Sequence, residues 1–199
     1  MLNHPSKTEI AIFGIGQMSD IVSFYFRGIG RKIKAYIVDD SSISACSFLG
    51  RPVFQIEEFC KNSPRNNIEV FVAISYHENN DLRERYFKFF SKLGYQFSSY
   101  VSAKSYLASD VEIGGNCLIL EGVNIQKTCI LRDNSFVWTA AQIGHHSIVG
   151  ENVFLGSGSV LMGCNKVGNN AHISANATVK DHVNIEPRVF IPPGTVILE

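Results

Sequence analysis

No stretch of this 199-residue chain approaches the roughly 20 consecutive apolar positions that a membrane-spanning helix needs, and Met1 to Glu9 is polar rather than a secretory leader. A cytoplasmic location is expected. Charge is not in excess either: 18 basic residues balance 18 acidic ones, and neither half carries a basic stripe. Neither binding to nucleic-acid phosphates nor an electrostatic membrane anchor is therefore expected. The five cysteines, Cys46, Cys60, Cys117, Cys129 and Cys164, are odd in number and lack CxxC spacing, which argues against a disulfide framework and against a cysteine-based zinc site.

What the chain does have is a period. Val101, Leu107, Ile113, Ile119, Ile125, Leu131, Val137, Ile143, Val149, Leu155, Leu161, Val167, Ile173, Val179, Ile185, Ile191 and Ile197 follow one another at a strict six-residue spacing. Four residues after each stands a smaller one, among them Ser105, Cys117, Cys129, Ala141, Ser147, Ala171 and Ala177. A large aliphatic and a small residue that alternate inward every six positions describe a three-sided parallel β-helix, each hexad giving one short strand and one corner. Three hexads close one coil, and successive coils sit about 4.8 Å apart, so residues 18 apart in sequence lie above one another. Cys117 and Cys129 fall at the small inward position, where a thiol acts as a compact apolar group. No insertion interrupts the hexads from 101 to 197, so a functional groove must come from corners and neighbouring subunits.

The first hundred residues read differently. Glu9–Ile15 predicts a strand entering Gly14-Ile15-Gly16, Gln17 to Phe26 a helix, and Ile33–Val38 a strand ending in Asp39-Asp40. Ile68–Ser75 predicts a buried strand and Asp81–Leu93 a helix whose apolar face is Leu82, Tyr86, Phe89, Phe90 and Leu93. Strands alternating with helices imply an α/β, Rossmann-like domain over 1–98, followed by the all-β helix over 99–199. Gly14 and Gly16 let backbone amides approach a phosphate, and Asp39 stands where an acid commonly meets a ribose hydroxyl; equally, the glycines form a tight turn and nothing more. Ser19 occupies the place of the third glycine of a dinucleotide fingerprint, which favours a mononucleotide or nucleotide-sugar over NAD. Gly28 and Gly30 stop the first helix.

Of the six histidines, His4 belongs to the polar start and His77 follows the Ile68–Ser75 strand, at the mouth where a nucleotide-sugar would bind. His145 and His146 occupy the third and fourth places of their hexad, on an outward corner, where an imidazole is suited to taking a proton from an attacking amine or hydroxyl, or is simply a solvated turn residue. His146, Cys164 and His182, 18 residues apart, stack on one edge. Zinc would require two histidines about 9.6 Å apart to converge on one ion, so stacking without metal is expected.

Ile12-Phe13-Gly14-Ile15-Gly16, Val38-Asp39-Asp40, Ala73-Ile74-Ser75 and Gln142-Ile143-Gly144-His145-His146-Ser147-Ile148-Val149-Gly150 together resemble the bacterial sugar acyltransferases. These include the sialic-acid O-acetyltransferase type and the N-acetyltransferases of nucleotide-linked amino sugars such as precursors of bacillosamine and perosamine. The resemblance spans nearly the whole chain. It implies a left-handed β-helix, a homotrimer with acetyl-CoA between two prisms, and an N-terminal domain that holds a sugar or nucleotide-sugar acceptor for surface-polysaccharide synthesis. It also implies that His145 is the general base with His146 beside it, that Gly163 and Ala175 line the pantetheine arm, and that Gly14, Gly16, Asp39, Asp40 and His77 meet the nucleotide-sugar. No metal is implied.

Three positions depart from the pattern of that group. Many relatives carry Glu or Asp directly after the catalytic histidine, where this chain has His146. A second histidine nine residues on is here Phe154, and a Gly-His pair after the glycine motif is here Gln17-Met18. Two other readings stay open: a non-catalytic nucleotide-sugar binding or scaffold protein, and a metal-dependent carbonic anhydrase on the same prism, for which three histidines would have to converge from two subunits.

Overall fold

A computed structural model describes residues 8–40, 43–76 and 80–199. The chain divides into two compact units, one built from the chain up to Ser75 with Arg85–Ser98, the other from Tyr76–Glu84 with Ser99–Glu199. The short segment Tyr76–Glu84 therefore belongs with the repeat, far from it in sequence.

In the first unit, β1 (Glu9–Phe13), α1 (Gln17–Gly28) and β2 (Ile33–Val38) follow the expected strand–helix–strand order. The chain continues through β3 (Ser47–Phe48), β4 (Arg51–Gln55), α2 (Ile56–Asn62), β5 (Ile68–Val72), α3 (Asp81–Lys92) and β6 (Gln96–Phe97). The six strands form one sheet in the order β3-β4-β2-β1-β5-β6, parallel throughout except for the antiparallel β3–β4 hairpin. Strand order turns back at β1 and β5, which leaves the carboxyl ends of these two strands side by side. The central strands are buried on both faces, as their unbroken apolar runs require: Ile10, Ala11, Ile12, Val70, Phe71 and Val72 are inaccessible to solvent.

Helix α3 departs from the predicted apolar stripe. Phe89 is 41% exposed, whereas Arg83, outside that stripe, is fully buried. Arg83 lies in the second unit, where its guanidinium stacks 4.3 Å from the Phe136 ring centre and donates to the carbonyls of Asn134 (3.1 Å) and Asn152 (3.0 Å). Hydropathy cannot anticipate a charged side chain drawn inside by backbone acceptors of a distant segment.

The second unit is the expected three-sided parallel β-helix. Seventeen two-residue strands form three parallel sheets of six, six and five, each strand pairing with the one 18 residues away. The first face runs from Tyr100–Val101, the second from Tyr106–Leu107 and the third from Glu112–Ile113. All seventeen aliphatic residues of the period are the second residue of a strand, and together with Cys117, Val123, Cys129, Ala141, Val153, Ala171 and Ala177 they fill the prism. The five thiols are unpaired, and burial pushes Cys117 up to about 12, as expected of a thiol held in an apolar interior.

The corners have a second regularity. From Asn116 to Gly194 one residue in every six adopts a left-handed conformation, and the eleven that are not glycine have φ between 55° and 64°. Five of those are asparagine, which tolerates this region better than most residues. Four of them form a ladder on the corner between the third and first faces: Asn116, Asn134, Asn152 and Asn170 pass Nδ2 to Oδ1 at 2.6, 2.6 and 3.4 Å. Asn170 then donates to Asp81 (3.1 Å) and Glu84 (2.9 Å), which also pair with Arg188 on the next rung. The ladder, Arg83 and the acidic pair tie residues 81–84 to the prism by hydrogen bonds.

Candidate functional site

His145 and His146 sit on the corner between the second and third faces, both exposed, as their hexad places predict. His146 holds the left-handed turn position at φ 60°, and its N–H donates to the Lys127 carbonyl one coil below (3.1 Å). The His145 N–H donates to Oε1 of Gln126 (2.9 Å), and its carbonyl accepts the N–H of Cys164 one coil above (2.8 Å). Both backbones are thus fixed while the rings remain open to solvent. The two Nδ1 atoms are 3.1 Å apart, with the rings nearly perpendicular at 84°. Two bare nitrogens at that distance would repel, so one carries a proton and donates it to the other. When His145 is the donor, its Nε2 keeps a free lone pair, the state a general base needs.

Gly163, on the same coil as Cys164, lies against the His145 ring. A methyl group there would stand 2.6 Å from Cε1 and 2.9 Å from Nε2 of the imidazole, closer than packed atoms come. Glycine at 163 thus lets the ring lie across the next coil. His145 and Gly163 border a cleft of 360 Å³ along the second face, with Gln126, Gln142 and Met162 in its walls. Gln126 and Met162, not expected from the sequence, belong to the same corner column, 18 residues before Gly144 and after it.

Ala175 stands apart from this cleft, on the corner between the first and second faces. It borders a second cleft of 470 Å³ with aromatic walls, Tyr76, Trp138, Phe154 and Phe190, joined by His172. Tyr76 packs edge-on to Phe154 (5.0 Å) and His172 (4.9 Å). The buried indole N–H of Trp138 has no hydrogen-bond partner among the described residues. Burial, and after it the charge of Arg83, holds the His172 imidazole down to about 4, so it is neutral near pH 7. Within one chain Gly163 and Ala175 do not meet. Phe154, at the place of a second histidine in the resembling group, is part of this aromatic wall.

In the first unit, the four predicted substrate residues cluster at the carboxyl ends of β1 and β2, and the turn reading gains physical support. Gly14 has φ 111°, and a side chain there would press on Ser19 Oγ (2.8 Å) and the Ala73 carbonyl (3.3 Å), so glycine is required by conformation and packing. Ser19 fills the space that a third glycine would have left open. Gly16 precedes α1 with open space around it, and no side chain caps the first N–H groups of the helix. Asp39 accepts the Tyr86 hydroxyl (2.7 Å), itself held by Arg85 (2.7 Å); burial and then Asp39 raise the Tyr86 phenol, which stays a donor. The Asp40 carbonyl accepts from Gln55 (3.0 Å). His77 lies outside the described residues.

No helix among the described residues is long and apolar enough to cross a membrane. No protein-family profile matches this sequence, and no curated protein sequence does. Solved structures do match its fold. The acetyltransferase domain of PglB from Neisseria gonorrhoeae FA1090 is 21% identical with a TM-score of 0.83, over 96% of this chain and 91% of that one. PerB from Caulobacter crescentus, solved with CoA and GDP-perosamine, is 22% identical with a TM-score of 0.85, over 98% and 91%. WeeI from Acinetobacter baumannii AYE is 19% identical with a TM-score of 0.51, over 96% and 92%. The chain therefore has the fold of these proteins, an N-terminal α/β unit followed by a parallel β-helix.

Proposed function

We propose that this protein is an acetyl-CoA-dependent acetyltransferase of a sugar, carried by a nucleotide and bearing an amine or hydroxyl as acceptor, in bacterial surface-glycan synthesis. The observation that carries the reading is the His145–His146 pair, fixed by its backbone on an outward corner beside a cleft, with the His145 ring across Gly163. The similar structures solved with acetyl-CoA, and with CoA and GDP-perosamine, support the choice of donor and acceptor.

In this mechanism Nε2 of His145 takes the proton of the acceptor amine or hydroxyl as the latter attacks the thioester carbonyl. The new C–N or C–O bond forms, the C–S bond breaks, and CoA leaves as the thiol after the proton is returned to sulfur. Positioned base catalysis of this kind typically contributes about a hundred- to ten-thousand-fold. His146 acts through His145, by accepting its Nδ1 proton and so holding Nε2 free. It takes the place of an acidic residue.

The acyl donor runs between two protomers of a homotrimer. Gly163 and Ala175 border different clefts of a single prism, so a ligand touching both draws one from each of two neighbouring chains. The strand order of the first unit and the N-terminus of α1, which no side chain caps, support a Rossmann-like domain that receives the nucleotide, with Asp39 and Asp40 at its rim.

The reading is tested by following CoA thiol release with acetyl-CoA and a panel of nucleotide-linked amino sugars and free sugars, alongside the mass in solution. Turnover with at least one acceptor, its loss in His145→Ala, and a trimeric mass are expected. Full activity in His145→Ala overturns the mechanism. Tight sugar-nucleotide binding with no affinity for acetyl-CoA would show a non-catalytic binding protein instead.

A further inference from the structure

One donor atom from each of His145, His146 and Cys164 lies within 4.8 Å of the others. The 18-residue register produces this group. His146 and Cys164 hold the same left-handed turn position on successive coils, at φ 60° and 61°, so their side chains leave the corner one above the other. His145 joins them because its ring leans over Gly163, the residue just before Cys164. The set anticipated on this edge, with His182 as its third member, spans two coil spacings; exchanging His182 for His145 shortens it to one.

From this geometry we infer that His145, His146 and Cys164 form a binding site for a thiophilic divalent cation such as Zn²⁺, which acts on the protein as an inhibitor and not as a cofactor. Tetrahedral zinc with two imidazole nitrogens and one thiolate holds its donors roughly 3.3 to 3.7 Å apart. The Nδ1–Nδ1 separation of 3.1 Å is already close to that range, and the remaining contraction needs only rotation of side chains that stand in or near solvent. The ion would take the place of the proton between the two rings, which moves to Nε2 of the ring that carried it, and the thiol proton is released to solvent. A water completes the fourth position.

An imidazole with a cation on one ring nitrogen keeps its single proton on the other and has no lone pair left for base catalysis. A cation here therefore silences His145 whichever of its nitrogens is bound. Binding stands on the geometry alone; the inhibitory consequence rests on the acyl-transfer reading.

The experiment separates the two. Co²⁺ is titrated into the whole protein in place of Zn²⁺, and the thiolate-to-cobalt charge-transfer absorption in the near ultraviolet is followed. Saturation at one ion per chain is expected, with Zn²⁺ displacing the cobalt. The band should vanish in Cys164→Ser, persist in Cys46→Ser, and require at least tenfold more metal in His146→Ala, with the melting temperatures of all three variants checked against the parent protein. Absence of the band, its survival in Cys164→Ser, or indifference to His146→Ala in folded proteins overturns the site. In parallel, Zn²⁺ should lower CoA release by the parent protein, a chelator should restore it, and Cys164→Ser should resist Zn²⁺ relative to its own metal-free rate. A protein that shows the cobalt band but no turnover keeps the site and loses the acyl-transfer reading; turnover that zinc leaves untouched, with the band present, overturns the inhibitory role.

Discussion

Nδ1 of His145 faces Nδ1 of His146 at 3.1 Å, so the orientation of one imidazole is set by its immediate neighbour in sequence. An acid at 146 would serve as a pure acceptor; a histidine serves only in the tautomer whose Nδ1 is bare. His146→Ala is expected to lower kcat about tenfold or more with little change in KM, while His146→Asp or His146→Glu, which restore an obligate acceptor, retain most of the parental kcat. Steady-state kinetics on the three variants decide this. Equal kcat in His146→Ala and the parent would show that the neighbour does not orient the base.

Gly163→Ala separates placement of the His145 ring from stability of the prism. Its Cβ would stand 2.6 Å from Cε1 of His145, and the exposed ring, not the backbone, is the part that gives way. Stability should change by no more than about 0.5 kcal/mol in urea unfolding. Turnover should fall roughly a hundredfold, because displacement of a reacting group by about an ångström costs that much.

Arg83 is the most consequential buried charge described. Burial draws its guanidinium down to about 9, and the Asn134 and Asn152 carbonyls accept its hydrogen bonds. Arg83→Met keeps the volume but strands those carbonyls, and a loss of about 2 to 4 kcal/mol is expected in denaturant unfolding. Arg83→Lys should recover only part of it, since one ammonium lacks the planar fork that reaches two coils at once.

Acid should weaken the fold through His172. Its folded value of about 4 lies below the ordinary 6.5, so the unfolded chain takes up a proton near pH 6.5 that the folded chain refuses until about 4. Stability contributed by the neutral imidazole is therefore complete above pH 6.5, falls as the pH drops through that window, and levels off below it, by roughly 3 kcal/mol at most. His172→Phe, which suits a site bounded by Tyr76, Phe154 and Phe190, should flatten that part of the profile in melting curves recorded between pH 4 and 7.

The prism was legible almost residue by residue because a period of six ties inside and outside to position, and each hexad repeats the test. His145 and His146 on their corner, and Cys117 and Cys129 inside, follow from that period alone. It also held a signal left unread: the outward residues of the first face, Tyr100, Leu118, Phe136, Phe154, His172 and Phe190, are nearly all aromatic or aliphatic, the mark of a covered face with an aromatic cleft at one end. The small hairpin Ser47–Phe48 with Arg51–Gln55, and the short helix Ile56–Asn62, stayed hidden because two to seven residues carry too little periodicity to stand out. Arg83 was hidden for another reason: its partners are backbone carbonyls some 51 and 69 residues away, which no local pattern encodes.

Strict pairing at an interval of 18 makes the second unit behave as if it were written in a reading frame. Loss of a whole coil would leave every later side chain on its own face, only lower on the prism. Loss of a single hexad would keep inside and outside correct but turn each later residue to the next face, sending an aromatic wall where the paired histidines had been. Loss of one residue would exchange core for surface from that point on. Change along this chain is thus tolerated in units fixed by geometry, and the distance from Gly144-His145-His146 to Gly163-Cys164 is among the lengths least free to vary.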